Sequence, residues 1–205
     1  MESTSSSISL SNAAKIAKLL SSMHKLSVQE GNDWVEHSHP AVFCRQSIEG
    51  NVVRLAVGVP AGDSEVLRRL LACLKPPLYL LYVLHTPRGE GDPGRYQSAA
   101  LGEHEVLSFL AEFAGLLGSD ARHDVWVHSP EGSATLVWER HNVIYAYGPI
   151  GSFESALIQL GFGTGKIGVD FPHQHHYRAE YDEAARAVLT RFNWSYSALR
   201  PEDEQ

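Results

Sequence analysis

Leu78-Tyr79-Leu80-Leu81-Tyr82-Val83-Leu84 is the segment that most narrows what this chain can become. Seven apolar residues run without a polar interruption. Too short to cross a bilayer, which takes about 20 residues, the run is the length of a strand, and its lack of alternation requires cover on both faces. The spacing predicts a central strand inside a folded layer. What surrounds it is mixed. Ala41–Ile48 and Val52–Val59 read as two β-rich runs joined at Glu49-Gly50-Asn51, a hairpin signal. Val66, Leu67, Leu70, Leu71 and Leu74 then recur at helical spacing until Pro76-Pro77 stops them. After the central strand, Val106, Leu110, Phe113 and Leu117 mark one helix closed by Gly118. Asp124–His128, Thr135–Arg140 and Val143–Tyr147 form an antiparallel meander. A short helix at 152–160, a flexible crossover at Gly161–Gly168 and a last helix carrying Tyr177, Tyr181, Ala184, Val188 and Phe192 complete the pattern.

These elements predict an α+β fold with a mixed sheet of about five or six strands ending in a meander, and helices packed on the sheet. Ile16, Leu19, Leu20, Met23 and Leu26 predict a helix at 10–26, preceded by a serine-rich flexible leader at 1–9. Residues 10–199 are expected to make a single domain and 200–205 an acidic frayed tail. The 205-residue length suits one such domain.

Charge narrows the function classes. With 17 Lys+Arg against 24 Asp+Glu the net charge is −7, which lacks the cationic field of a general nucleic-acid or anionic-membrane binder. Cys44 and Cys73 belong to no metal or redox spacing and read as buried thiols in a reducing, cytoplasmic setting. The opening residues have no charged n-region followed by an apolar core, so they do not read as a secretory signal.

Histidine is the unusual residue. There are 11, and five fall in two groups, His37-Ser38-His39 and His173-Gln174-His175-His176. In an extended chain residues i and i+2 face the same way, so each H-x-H pair can offer two imidazoles to one ion. His37, His39, His173 and His175, with Glu180 or Asp170 as a carboxylate, would hold zinc or another divalent transition metal in a hydrolase-like enzyme. The two groups lie more than 130 positions apart, so that enzyme requires the fold to bring them together.

Other catalytic patterns fail. Gly161-Phe162-Gly163-Thr164-Gly165-Lys166 lacks the spacing of a phosphate loop, and no serine stands in a nucleophile elbow. The first reading is therefore a protein-binding module without a cofactor, for instance an acidic inhibitor or immunity-type protein directed at a basic partner. Two regions would carry it. The long connection at 86–100 offers Arg88, Arg95 and Tyr96, and would open onto a ligand crevice if the central strand had a parallel neighbour. The meander at 123–147 offers Trp126, Trp138 and Arg140, residue types that dominate interfaces.

Overall fold

The computed structural model describes residues 24–48, 50 and 52–203. The leader at 1–9 and nearly all of the helix expected at 10–26 lie outside the described residues. At the end of that range Leu26 opens a strand instead of closing a helix.

Twelve strands are described: β1 (Leu26–Glu30), β2 (Asp33–His37), β3 (Val42–Ile48), β4 (Val52–Gly58), β5 (Tyr79–Leu84), β6 (Gly94–Gln97), β7 (His123–Ser129), β8 (Ala134–Trp138), β9 (Val143–Tyr147), β10 (Gly163–Thr164), β11 (His173–His175) and β12 (Ser195–Ser197). The helices are α1 (Glu65–Leu71), α2 (Glu103–Glu112), α3 (Ala114–Ser119), α4 (Ile150–Gln159) and α5 (Asp182–Arg191). Nine strands form one sheet in the order β10-β3-β4-β9-β8-β7-β5-β6-β12, and β11-β1-β2 form a second, small sheet. The fold is mixed α and β, as the sequence predicts, but the main sheet is larger than five or six strands. The additional members are short: β6 lies inside the 86–100 connection, β10 inside the glycine-rich crossover and β12 after the last helix. Segments of two to four residues carry too little periodicity to register in sequence. The crossover is pinned, with Gly163 N and Gly165 N donating to the carbonyls of Ala41 and Phe43.

β5 sits where its composition demands, with five of its six residues buried. Both its neighbours, β6 and β7, are antiparallel. The parallel-sheet crevice considered for the 86–100 connection is therefore absent. Leu55, Leu80, Tyr82, Val127, Leu136 and Trp138 from the strands share one apolar cluster with Leu67, Leu70, Phe109, Phe153 and Val188 from the helices. The stripe read as a single helix at 106–117 is divided at Phe113, which leaves helical geometry between α2 and α3. The last helix begins at Asp182, after a 3-10 turn at Ala179–Tyr181. The chain beyond 200 is tied down as far as Asp203, whose buried carboxylate accepts hydrogen bonds from Arg95 Nη1 and Arg200 N. The rest of the tail expected at 200–205 lies outside the described residues.

The end of the main sheet where β4 and β8 finish and β7 and β9 begin positions the site. Gly58 pairs with Val143, Trp138 with Ile144 and His123 with Leu84 across this edge. The small sheet is attached here: Ala121 N donates to the His176 carbonyl at 2.9 Å, and His176 N donates to the Lys25 carbonyl at 2.8 Å. The hairpin β1–β2 closes through Gly31-Asn32, with Gly31 at φ 64°, a left-handed value that glycine adopts without strain.

Close by, the backbones of Gly62 and Gly118 meet. A Cβ on Gly118 would lie 2.1 Å from the Gly62 carbonyl oxygen, and one on Gly62 would lie 2.2 Å from that of Gly118. Neither obstacle is a flexible side chain. Gly118→Ala should therefore destabilise the protein by about 2–3 kcal/mol through overpacking, whereas Gly151→Ala, with no neighbouring atom in reach, should change stability little. Urea denaturation of both variants checks the contrast.

Candidate metal centre

The site begins with a turn. Glu139, Arg140, His141 and Asn142 connect β8 to β9, with Asn142 at φ 59°, a conformation that asparagine tolerates better than most residues. Asn142 is held by its neighbours: its Oδ1 accepts from Trp138 Nε1 at 3.0 Å and its Nδ2 donates to the Gly118 carbonyl at 2.8 Å. The Glu139 carboxylate folds into the turn. Its Oε1 accepts from the backbone N–H groups of His141 and Val143, at 3.0 and 3.1 Å. Its Oε2 accepts a short hydrogen bond from His141 Nδ1. A carboxylate there fixes the tautomer of His141 and leaves Nε2 with its lone pair outward.

β11 delivers two more imidazoles to the same place. His173 and His175 face one way by strand alternation, opposite Val28 and Leu26 of β1. His173 Nδ1 lies 2.9 Å from the carbonyl of Phe171. A carbonyl only accepts, so Nδ1 carries the proton and Nε2 is free to ligate. His175 Nε2 is buried and has no hydrogen-bond partner. The rings of His141, His173 and His175 are mutually 4.9–5.2 Å apart between centroids. One potential ligand atom from each lies within 4.8 Å of the others, and among the described residues this is the group of such atoms able to hold a metal. On a tetrahedral ion with metal–nitrogen bonds of about 2.0–2.1 Å the ligand nitrogens stand about 3.4 Å apart, so atoms separated by up to 4.8 Å would draw together by as much as about 1.4 Å to share it.

Burial and the neighbouring His141 and His173 push His175 down to about 3, so its imidazole is neutral and available as a ligand. Three imidazole nitrogens suit zinc, copper, nickel or iron better than magnesium or calcium, which prefer oxygen. With three protein ligands, a four-coordinate ion keeps one position for water or substrate.

The predicted set and the assembled set overlap in part. His173 and His175 belong to it. His37 and His39 come close without joining: their rings are 4.7 Å apart, and His39 Nε2 donates to the His141 carbonyl at 2.9 Å, buttressing the turn from behind. His37 Nε2 is buried and unpartnered beside Phe171. Glu180 and Asp170 are exposed and lie outside the group. The ligand missed in sequence is His141, which reads there only as part of a turn linker. A carboxylate two positions before a histidine in a tight turn, Glu139-Arg140-His141, is the local signal that marks it.

The residues expected to recognise a partner are placed differently. Trp138 is 1% exposed and packed in the core, so it cannot meet a partner. Arg88 is paired with Asp182 at 3.0 Å, Arg95 with Asp203, and Tyr96 donates to the Asp92 carbonyl and packs against Tyr196. These contacts hold the 86–100 connection against the C-terminal third of the chain. Arg140 N donates to Asp124 Oδ1 at 2.8 Å, and Trp126 is half-buried on the sheet face opposite Trp138. No protein-family model, curated protein or solved structure matches this chain.

Lys25 lies fully buried behind the site, its Nζ donating to the Glu139 carbonyl at 3.2 Å and standing 4.9 Å over the Trp138 ring. Burial drives it from the ordinary 10.5 down to about 8, against the opposing pull of Asp124 and Glu139. Between these pH values the unfolded chain holds a proton that the folded chain has released, so stability rises with pH across the window. The gain from this group is at most about 3 kcal/mol. Unfolding free energies of wild type and Lys25→Met, measured from pH 7 to pH 10.5, should differ by an amount that changes with pH in this sense.

Proposed function

We propose that this protein binds a single divalent transition metal through His141, His173 and His175 and acts as a metal-dependent, hydrolase-like enzyme. One observation carries the reading: strand β11 and the β8–β9 turn, remote in sequence, converge three imidazoles, two of which already have their second nitrogen engaged by Glu139 and the Phe171 carbonyl. Ligating histidines characteristically have such outer partners, which orient the ring and raise its basicity. A metal held by these three histidines would leave room for a water, would bring that water's pKa toward neutrality, and so would supply hydroxide for attack on an electrophilic carbon or phosphorus. The alternative of a basic protein partner loses its support from the 86–100 connection, whose two arginines are neutralised by Asp182 and Asp203.

Protein purified without an affinity tag and stripped with chelator should take up one equivalent of Zn(II) or Co(II) by calorimetry. His173→Ala and His175→Ala should abolish that uptake. Glu139→Gln should weaken it by about 10–100-fold, as removal of outer-shell partners does elsewhere. Zinc-loaded protein should hydrolyse p-nitrophenyl acetate faster than the stripped form and lose the difference in His175→Ala. Wild type that takes up no metal at micromolar protein overturns the centre. Uptake without metal-dependent turnover overturns the hydrolytic reading.

A further inference from the structure

Alternation divides the main sheet into two faces. One carries Leu55, Leu80, Val127, Leu136 and Ala146 into the core. On the other, Trp126 pairs with Val137 and Val137 with Tyr145, while one row further Thr135 pairs with Tyr147 and Tyr147 with Arg54. Trp126, Tyr145, Tyr147 and Arg54 are all half-buried. Two cavities open on this face, of about 390 and 300 Å³, and Trp126 and Thr135 belong to the walls of both. Volumes of this order accommodate small ligands.

Two polar groups on this face lack the partner that their chemistry asks for. Trp126 Nε1, a donor only, is buried with no acceptor. Arg54 is held by neutral groups: its Nε donates to Gln46 Oε1 at 2.9 Å, its Nη1 donates to the Tyr147 hydroxyl at 2.8 Å, and its guanidinium lies 3.8 Å from the centre of the Tyr145 ring. Among the described residues no carboxylate stands within ion-pair distance of it, in a chain whose net charge is −7. Arg95, on the far wall of the larger cavity, is by contrast neutralised by Asp203. Arg54 is thus a cation whose pose is fixed by a fork of neutral contacts.

We propose that this face binds a small aromatic anion, its ring set over Val137 between Trp126 and Tyr145 and its carboxylate or phosphate against Arg54. The aromatic walls select a flat apolar body. Arg54, with no carboxylate beside it among the described residues, selects a compact negative charge. A nucleic-acid strand is disfavoured, because tracking a polyanion takes a string of cations that this face and this chain lack. The site is independent of the histidine centre.

The test uses the full chain with naphthalene-1-carboxylate and its neutral isostere naphthalene-1-carboxamide, followed by calorimetry and by NMR shifts of the Trp126 indole N–H. The carboxylate should bind and shift that resonance, and the amide should bind at least tenfold more weakly. Arg54→Gln should erase the preference and Arg54→Lys should restore part of it, both with unchanged urea midpoints. The preference should persist in His175→Ala, which removes a metal-bound carboxylate as its source. Equal binding of acid and amide, absence of binding to wild type, a preference that survives Arg54→Gln or disappears in His175→Ala, or tighter binding of oligouridylate than of the carboxylate would each overturn the assignment.

Discussion

The Arg122 guanidinium is the contact on which the arrangement of the remaining parts depends. It is fully buried, and each of its three nitrogens has an acceptor: Nε and Nη2 reach the two oxygens of Asp120 at 2.8 and 2.9 Å, Nη1 reaches Glu90 at 3.0 Å, and Nη2 also reaches Asp182 and the Arg178 carbonyl. Burial alone would depress its pKa, but hydrogen bonds and charge from Asp120 and Glu90 hold it above its usual range. A buried charge of this kind is tolerated only when satisfied all round, and removing one partner leaves the others uncompensated in a medium of low dielectric. The acids come from three separate stretches of chain, so the ion cluster fixes the 86–92 segment, the entrance to β7 and the start of α5 relative to one another. Asp120 also accepts from Arg178 N, and Arg178 reaches Glu36 on β2. The segment just after β11 is thereby clamped to the edge of the main sheet.

That clamp is what makes a histidine centre geometrically sensible. His141 rides on a turn whose shape is set from inside the main sheet, by Trp138, Asn142 and Gly118. His173 and His175 ride on a strand of the small sheet. Nothing within either unit specifies the distance between them. Their approach is fixed by the hydrogen bonds of Ala121 and His176 and by the ion cluster beside them. Lys25, sealed between the two units, puts a cation behind the Glu139 turn and explains why so polar a junction contains several carboxylates.

Much of the fold can be read in advance where a pattern is long and local. The hairpin at 42–58, the run at 79–84 and the three strands of the meander all follow from apolar runs bounded by turn residues. The small sheet was harder: Gly31-Asn32 is a hairpin signal, but the flanking Glu30, Asp33 and Glu36 dilute the alternation, and β11 has only three residues. Parity explains why Trp126 and Trp138, both offered by the meander, do not share a face. Both lie on adjacent strands, yet Trp126 stands opposite Val137, so the two tryptophans point to opposite faces, and a shift of one residue across the 129–134 turn would have reversed that. For the site, strand alternation made His173 and His175 legible as a pair. Their third member comes from a tertiary approach that no local spacing encodes, and His39, an equally plausible candidate in sequence, spends its Nε2 on a backbone carbonyl.

The small sheet joins residues near position 30 to residues near position 174, with Ser27 Oγ 2.7 Å from His176 Nε2 across 149 positions of chain. During synthesis the β1–β2 hairpin emerges early and has no third strand to pair with until nearly all of the larger sheet has left the ribosome. Non-local pairings of this kind are the slow part of assembly, because loop closure must be met before the contact returns anything. The junction between the two sheets is accordingly the strand pairing whose two sides wait longest for each other during synthesis. An ion captured there would act as a latch on a nearly finished structure, holding closed the seam that chain order leaves open longest.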